Sequence, residues 1–367
     1  MPLKWKKVWI SDETFESAGV FDVNQDGHLD IVSGGFWYEG PEFRKKHVIG
    51  DVGKYGEYYD DFSTIALDIN GNGRPDFVTG GWWGKTLRWR ENPGEAGKAW
   101  PEHIIAEVGN VETTRAWDID GDGIVEIIPN TPPNPEVAYY KLITDKSGKG
   151  TGQFRKVTVH KFDEGRQGHG LGCGDIAGNG RMDIVLCNGW LEAPADPEKG
   201  SWAWHSDFPN PPWEGRASIP MLVVDVNGDG RNEIITGNAH GYGLWWSEQK
   251  LESGKRTWIH HPIDPFNAQY HDLIWADIDG DGQPELVTGK RHRAHCGNEA
   301  GEWDDLGLYY FKWTGEGFAK QVIDYGPIGS AKGCGIHFAL ADLRKTGRLD
   351  IIAPGKEGLC VFLNEGC

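Results

Sequence analysis

Residues 22–30 read DVNQDGHLD, and six later segments repeat the pattern: DINGNGRPD at 68–76, DIDGDGIVE at 118–126, DIAGNGRMD at 175–183, DVNGDGRNE at 225–233, DIDGDGQPE at 277–285 and DLRKTGRLD at 342–350. Successive starts lie 46, 50, 57, 50, 52 and 65 residues apart. A period of that length suits a four-stranded propeller blade, and no helical period competes with it. Each acidic loop stands between two short apolar segments, the second reading IVSGG, FVTGG, IITGN or LVTGK. An aromatic stretch follows (FWYEG, LRWREN, AYYKL, LWWSE, LYYFK), then a fourth segment such as KKHVIGD, EHIIAE or KQVID. The last unit stops at its third segment, GLCVFLNEG, while KKVWISD near the N-terminus is a fourth segment without a unit. The expected fold is all-β: one domain over residues 1–367, a seven-bladed β-propeller of four-stranded antiparallel blades. Residues 4–11 are expected to close it by pairing near 358–364, which leaves no open apolar edge.

Composition agrees with a turn-rich globular chain: 53 glycines, 18 tryptophans and 38% hydrophobic residues in 367. The net charge of -18 argues against nucleic acid or an anionic membrane surface as a partner. Most of that charge is local, since the seven loops hold 20 acidic and 6 basic residues. Six cysteines without a CxxC pair indicate neither a structural zinc nor a disulfide framework. The start, MPLKWKKVWISDE, lacks the apolar run of a signal peptide, so the expected compartment is the cytoplasm, or an exported location after processing.

Oxygen side chains at loop positions 1, 3, 5 and 9 around a glycine have the spacing of hard calcium ligands. The expected structural Ca2+ ligands are Asp22, Asn24, Asp26 and Asp30; Asp118, Asp120, Asp122 and Glu126; Asp225, Asn227, Asp229 and Glu233; and Asp277, Asp279, Asp281 and Glu285. The competing reading is that Asp and Asn cap their own turns by local hydrogen bonds, above all in the loops at 68 and 175. In the loop at 342, Arg344, Lys345 and Thr346 replace the ligands, and no metal is expected there.

These loops resemble FG-GAP/VCBS-type propellers along essentially the whole chain. The segments GHGLGCGDIAGNGRMDIVLCNGWLEAP, GNAHGYGLWWSEQ, YHDLIWADIDGDG and GKRHRAH are also similar to the propeller domain of aldos-2-ulose dehydratase. The architecture resembles that of seven-bladed lyases acting on uronate-linked glycans. These resemblances imply a carbohydrate substrate and β-elimination chemistry.

If the acidic turns share one face, residues just before the first strand and just after the second share the other. Six residues before each loop stand Glu16, Phe62, Glu112, His169, Ile219, His271 and Ile336, with His337 next; seven after each last acid stand Trp37, Trp83, Pro133, Trp190, His240, His292 and Glu357. This mouth gathers His169, His240, His271, His292, His295 and His337, with Arg115, Arg166, Tyr242, Lys290 and Arg291 nearby. Trp37, Trp83 and Trp190 would form an aromatic wall for a sugar ring, with Arg166, His292 and His295 as further substrate contacts.

The expected activity is that of a carbon–oxygen lyase or dehydratase working by β-elimination on a keto-sugar or uronate-containing saccharide. His169 or His240 would be the base, with His271 in the same catalytic group, Tyr242 the acid, and Arg115, Lys290 or Arg291 the anion stabilisers. In the alternative arrangement His169, His271 and His337 hold a divalent catalytic metal. The competing function is a non-catalytic calcium propeller that binds a glycan or protein. Glycoside hydrolysis would need two opposed carboxylates in a mouth dominated by histidine.

Overall fold

The computed structural model describes residues 2–163, 167–208 and 212–367, and their regular elements are strands. Second strands such as Asp30–Ser33, Asp183–Leu186 and Asp350–Ala353 are buried along their whole length. Their continuous apolar, β-branched runs suit a strand covered on both faces. Fourth strands such as Glu102–Glu107 alternate exposed and half-buried residues, as the outer edge of a sheet should.

Each acidic loop joins the first two strands of an antiparallel meander. Loop 22, named by its first residue, lies in the sheet Gly19–Phe21, Asp30–Ser33, Phe36–Glu39, Lys45–Val48; loop 68 lies in Ile65–Leu67, Asp76–Gly80, Thr86–Arg90, Glu102–Glu107. Loop 118 belongs to Thr113–Trp117, Glu126–Asn130, Glu136–Thr144, Gly150–Lys161, and loop 277 to Tyr270–Ala276, Glu285–Lys290, Leu306–Trp313, Phe318–Gly326. Loops 175 and 225 share an eight-stranded sheet, because Gly172 and Cys173 pair in parallel with Met221 and Leu222. In the loop-342 sheet the fourth strand comes from the other end of the chain: Lys4–Ser11 runs antiparallel to Leu359–Gly366, with Val8 opposite Val361.

The core is divided into clusters between neighbouring sheets. Val32 and Trp37 pack with Phe77 and Trp100, and Val78 and Trp89 with Ile127 and Tyr140. Ile128 and Tyr139 meet Ile184 and Leu191, and Val185 meets Ile234. Ile235 and Trp246 meet Leu286 and Phe311; Val287 meets Ile351; and Ile352 packs back on Ile31 and Tyr38 of the loop-22 sheet. Fully burying each such side chain contributes about 1.5–3 kcal/mol. The architecture is propeller-like and all-β.

The acidic loops touch at one end: Gln25 Nε2 donates to Gly73 O at 2.7 Å, and Lys345 Nζ to Gly27 O at 2.6 Å. At the other end, side chains from several sheets converge. Arg115, in the first strand of the loop-118 sheet, reaches Asp272 of the loop-277 sheet and the backbone carbonyl of Ile219. Gly335 permits a close approach there, since a Cβ on it would lie 2.1 Å from Glu16 O.

Candidate functional site

Three imidazoles meet at the convergent end. His169 precedes the first strand of its unit, His271 lies in Tyr270–Ala276, and His240 sits in the connection after Glu233–Gly237. All are buried, and one ring nitrogen of each lies within 4.8 Å of the others. His169 Nδ1 is 2.6 Å from Ala217 O and therefore donates to it. His240 Nδ1 lies 3.0 Å from Glu299 Oε2, which fixes the same tautomer and frees its Nε2. His169 Nε2 is 3.1 Å from His271 Nε2 and 3.5 Å from Glu112 Oε2.

Electrostatics favour the neutral ring at His240 and at His271. Burial pushes His240 down to about 4, helped by the charge of His169. Burial holds His271 well below the ordinary histidine range, with Arg291 adding to the effect. Glu112 would be raised by its own burial, but the charge and hydrogen bond of His169 bring it to about 2. Two imidazoles whose Nδ1 is fixed by a carbonyl or carboxylate, the third ring of His271, whose buried Nδ1 has no hydrogen-bond partner, and the Glu112 carboxylate form a donor set suited to a divalent metal of the zinc class.

A cavity of about 260 Å³ opens beside this cluster, lined by Tyr58, Phe62, Trp82, Trp83, Glu112, Arg291 and His295. Trp83 is placed by Asp60, which accepts from the backbone N–H groups of Trp83 and Gly84 at 2.8 and 2.9 Å. Tyr55 stacks on Trp83 at 5.0 Å. Arg291 is buried and makes a two-point pair with Glu16, at 2.8 and 3.1 Å. His295 Nδ1 lies 2.6 Å from Glu299 Oε1, so Glu299 bridges His295 and His240.

Several sequence expectations are corrected. Trp37 and Trp190 do not line the mouth: they are 3% and 0% exposed and stack on His47 and His205 at 4.0 and 4.1 Å. Where the second strand ends early, the residue seven past the last acid already lies on the third strand, as in Phe36–Glu39 and Gly189–Glu192. The imidazole that joins His169 and His271 is His240 rather than His337. His337 Nδ1 instead donates to Ala18 O at 3.3 Å. Lys290 spends its ammonium on the carbonyls of Gly301 and Asp304. Arg115 is bound to Asp272 at 2.7 Å and Tyr242 OH to Asp304 Oδ2 at 2.7 Å, so both are committed to structural partners. His292 lines a different cavity, and Arg166 lies outside the described residues. Glu299, Tyr58 and Trp82 were absent from the sequence reading. Glu299 falls in the insertion that stretches the last repeat spacing to 65 residues, the one signal that pointed to it.

At the opposite end the acidic loops solve a local problem. The first Asp accepts loop N–H groups, as Asp22 does from Asp26 and Gly27 at 3.1 and 2.9 Å. The last acid accepts from the strand, as Asp30 does from Val23 and Gly40. Three of the expected calcium loops already hold a cation: Arg231 contacts Asp229 in loop 225, and the other two hold a lysine. Lys141 Nζ contacts Asp120, with Asp122 at 2.6 Å and Glu126 at 3.7 Å; Lys312 Nζ contacts Asp279, with Asp281 at 2.9 Å and Glu285 at 3.0 Å. Strand register explains the choice. Ile127 pairs with Tyr140 and Leu286 with Phe311, so the next third-strand residue faces the loop and is lysine. In the loop-22 and loop-225 sheets Ile31 pairs with Tyr38 and Ile234 with Ser247, and the same place holds Glu39 and Glu248.

Two segments, residues 68–128 and 225–288, match the model of the FG-GAP-like repeat. These two segments are similar to FG-GAP-like repeats. No curated protein matches it in sequence. Among solved structures it is similar to BBS1N in complex with ARL6DN at a TM-score of 0.55 and 8% identity, covering 99% of this chain and 96% of that one. The exotype rhamnogalacturonan lyase YesX gives a TM-score of 0.49 at 12% identity over 100% of this chain and 75% of that one. Rhamnogalacturonan lyase YesW gives 0.49 at 13% identity over 98% and 74%. At 8% identity the chain shares a fold with BBS1N, and its chemistry rests on its own residues.

Proposed function

We propose that this FG-GAP-repeat chain is a carbon–oxygen lyase or dehydratase that acts on a keto-sugar or uronate-containing saccharide by β-elimination. The observation that carries the reading is the His295–Glu299–His240 bridge at an aromatic-walled cavity, next to three converging imidazoles. Tyr58, Trp82 and Trp83 would stack on the C–H face of a sugar ring. His295 donates its Nδ1 proton to Glu299, which leaves Nε2 as a base for the proton beside a carbonyl or carboxylate. The electron pair released moves into an enolate and then expels the β-oxygen as the C–O bond breaks, and that oxygen takes up a proton. Arg291, fixed by Glu16, supplies positive charge at the cavity wall for the developing anion. His169, His240, His271 and Glu112 would hold a divalent metal, whose chemistry when bound is Lewis-acid stabilisation of that anion.

We further propose that the repeats form a single seven-bladed propeller over residues 1–367, closed by Lys4–Ser11. The inter-sheet clusters that return to the loop-22 sheet support it, and the site would then lie at the axis. Structural Ca2+ is proposed only for loop 22, since Asp229 of loop 225 is paired with Arg231.

The test is a screen of uronate-terminated oligosaccharides and keto-sugars such as 1,5-anhydrofructose for an unsaturated, ultraviolet-absorbing product. With a substrate in hand, His295→Ala is expected to lower kcat about 100-fold to 10,000-fold. His169→Ala is expected to lose bound metal. A saccharide that binds at the mouth and is released unchanged would replace the lyase by a binding module.

A further inference from the structure

A second cavity, of about 290 Å³, lies beside the first and is lined in part by Lys54, Glu57, His292, Arg293, Ile328 and Lys356. Its charge is inverted relative to the chain: three permanent cations face one carboxylate in a protein of net charge -18. That carboxylate is already taken, since Arg293 Nη2 lies 2.6 Å from Glu57 Oε1. Among the described residues neither Lys54 nor Lys356 forms an ion pair. Lys356 Nζ donates to Arg293 O at 2.6 Å and sits 4.1 Å from the centre of the Tyr58 ring. Lys54 rests over the Tyr59 ring at 4.9 Å. Two buried polar atoms of the lining residues, His292 Nδ1 and Arg293 Nε, have no hydrogen-bond partner. Such groups cost free energy until an acceptor meets them. Tyr58 is the partition: its ring packs against Lys356 on this side, and the residue lines the proposed reaction cavity on the other.

We infer that this second cavity is an anion subsite, and that the saccharide bound at the neighbouring site carries a carboxylate on the unit next to the one that reacts. The inference rests on the carbohydrate reading above and narrows it to acidic saccharides. A carboxylate in the cavity would give Lys54 and Lys356 their missing counter-charge, while the adjoining unit would lie against the aromatic wall beyond Tyr58. Charge-assisted bonds of this kind are about twice as strong as neutral ones.

The test compares trigalacturonate with the same trimer after carboxyl reduction, by calorimetry on the full chain. The charged trimer is expected to bind at least about tenfold more tightly. Lys356→Met should cut that ratio about tenfold, and Lys54→Met, at an exposed position, should cut it as well. Equal affinities for the two trimers, or a ratio unmoved by both substitutions, would overturn the subsite. So would inorganic phosphate competing as strongly as the trimer, which would mark a free-ion site. Lysine-dependent binding of the charged trimer without any unsaturated product would keep the subsite and remove the lyase reading. Unsaturated product from the charged trimer, with equal affinities for the two trimers, would do the reverse.

Discussion

The two ends of the sheets use opposite strategies. At the loop end each unit repeats one solution, in which a first Asp collects N–H groups of its own turn and a last acid ties the turn to the strand. Variation there is compensated locally. Asp120 and Asp279 face Lys141 and Lys312, whereas the sheets with Asn24 and Asn227 at the same loop position offer Glu39 and Glu248. At the mouth end the equivalent positions change from unit to unit, as Glu16, Phe62 and His169 do, and partners come from far apart in sequence, as with Arg115 and Asp272 or Arg291 and Glu16. The loop end is therefore a stability device, and the mouth is where a single side chain has no substitute.

The sharpest way to break that comparison is to exchange tryptophans. Trp190→Ala empties a fully buried position that also stacks on His205, so it is expected to cost about 3–5 kcal/mol of stability. Turnover by the molecules that remain folded should be unchanged. Trp83→Ala should do the opposite, weakening saccharide binding with a much smaller change in Tm. If Trp190→Ala weakened binding at an unchanged Tm, Trp190 would belong to the mouth after all.

This contrast also decides how much was legible in the sequence. The repeat was readable because its chemistry is local: a glycine and a set of oxygen side chains must recur at fixed spacing in every turn. His169, His240 and His271 were readable by counting from those loops. Trp37 and Trp190 were misplaced because counting assumes equal strand lengths. The connection after Asp30–Ser33 is short, whereas the one after Asp76–Gly80 is long enough to carry Trp83 into the cavity. Glu299 has no counterpart in other units, so no count could reach it. The roles of Lys141 and Lys312 were hidden because they depend on which third-strand residue the register turns toward the loop.

That register argument gives the next prediction. Lys141→Met would leave Asp120, Asp122 and the fully buried Glu126 without their shared cation. Removing one partner of a largely buried charge cluster is expected to cost roughly 3 kcal/mol. Calcium added to this variant should restore Tm by binding only the folded loop, while wild type should gain nothing at the same loop. A variant that melts like wild type, with or without calcium, would mean that the lysine is a surface decoration and not a replacement for the ion.

A further expected effect is a pH dependence at the mouth end, opposite in sign to that of the loop acids Glu126 and Glu233, which burial raises to about 7. His337 is pushed down to about 3 by burial first and by the charge of Arg115 second. Its ordinary value, about 6.5, holds in the unfolded chain. A histidine whose folded value is depressed adds stability that is fully present above about 6.5, and that stability is lost as pH falls toward 3, because the unfolded chain binds the proton first. For one proton the slope reaches at most about 1.4 kcal/mol per pH unit in that window. His337→Gln keeps a donor for Ala18 O and removes the titration, so the difference between wild-type and variant stability should shrink as pH falls from 6.5 to 3. The check is denaturant unfolding at several pH values across the window. Parallel curves for the two proteins would show that His337 is protonated as freely in the folded mouth as in the unfolded chain. They would also mean that this side of the convergent end is open to water, unlike the neutral cluster of His240 and His271.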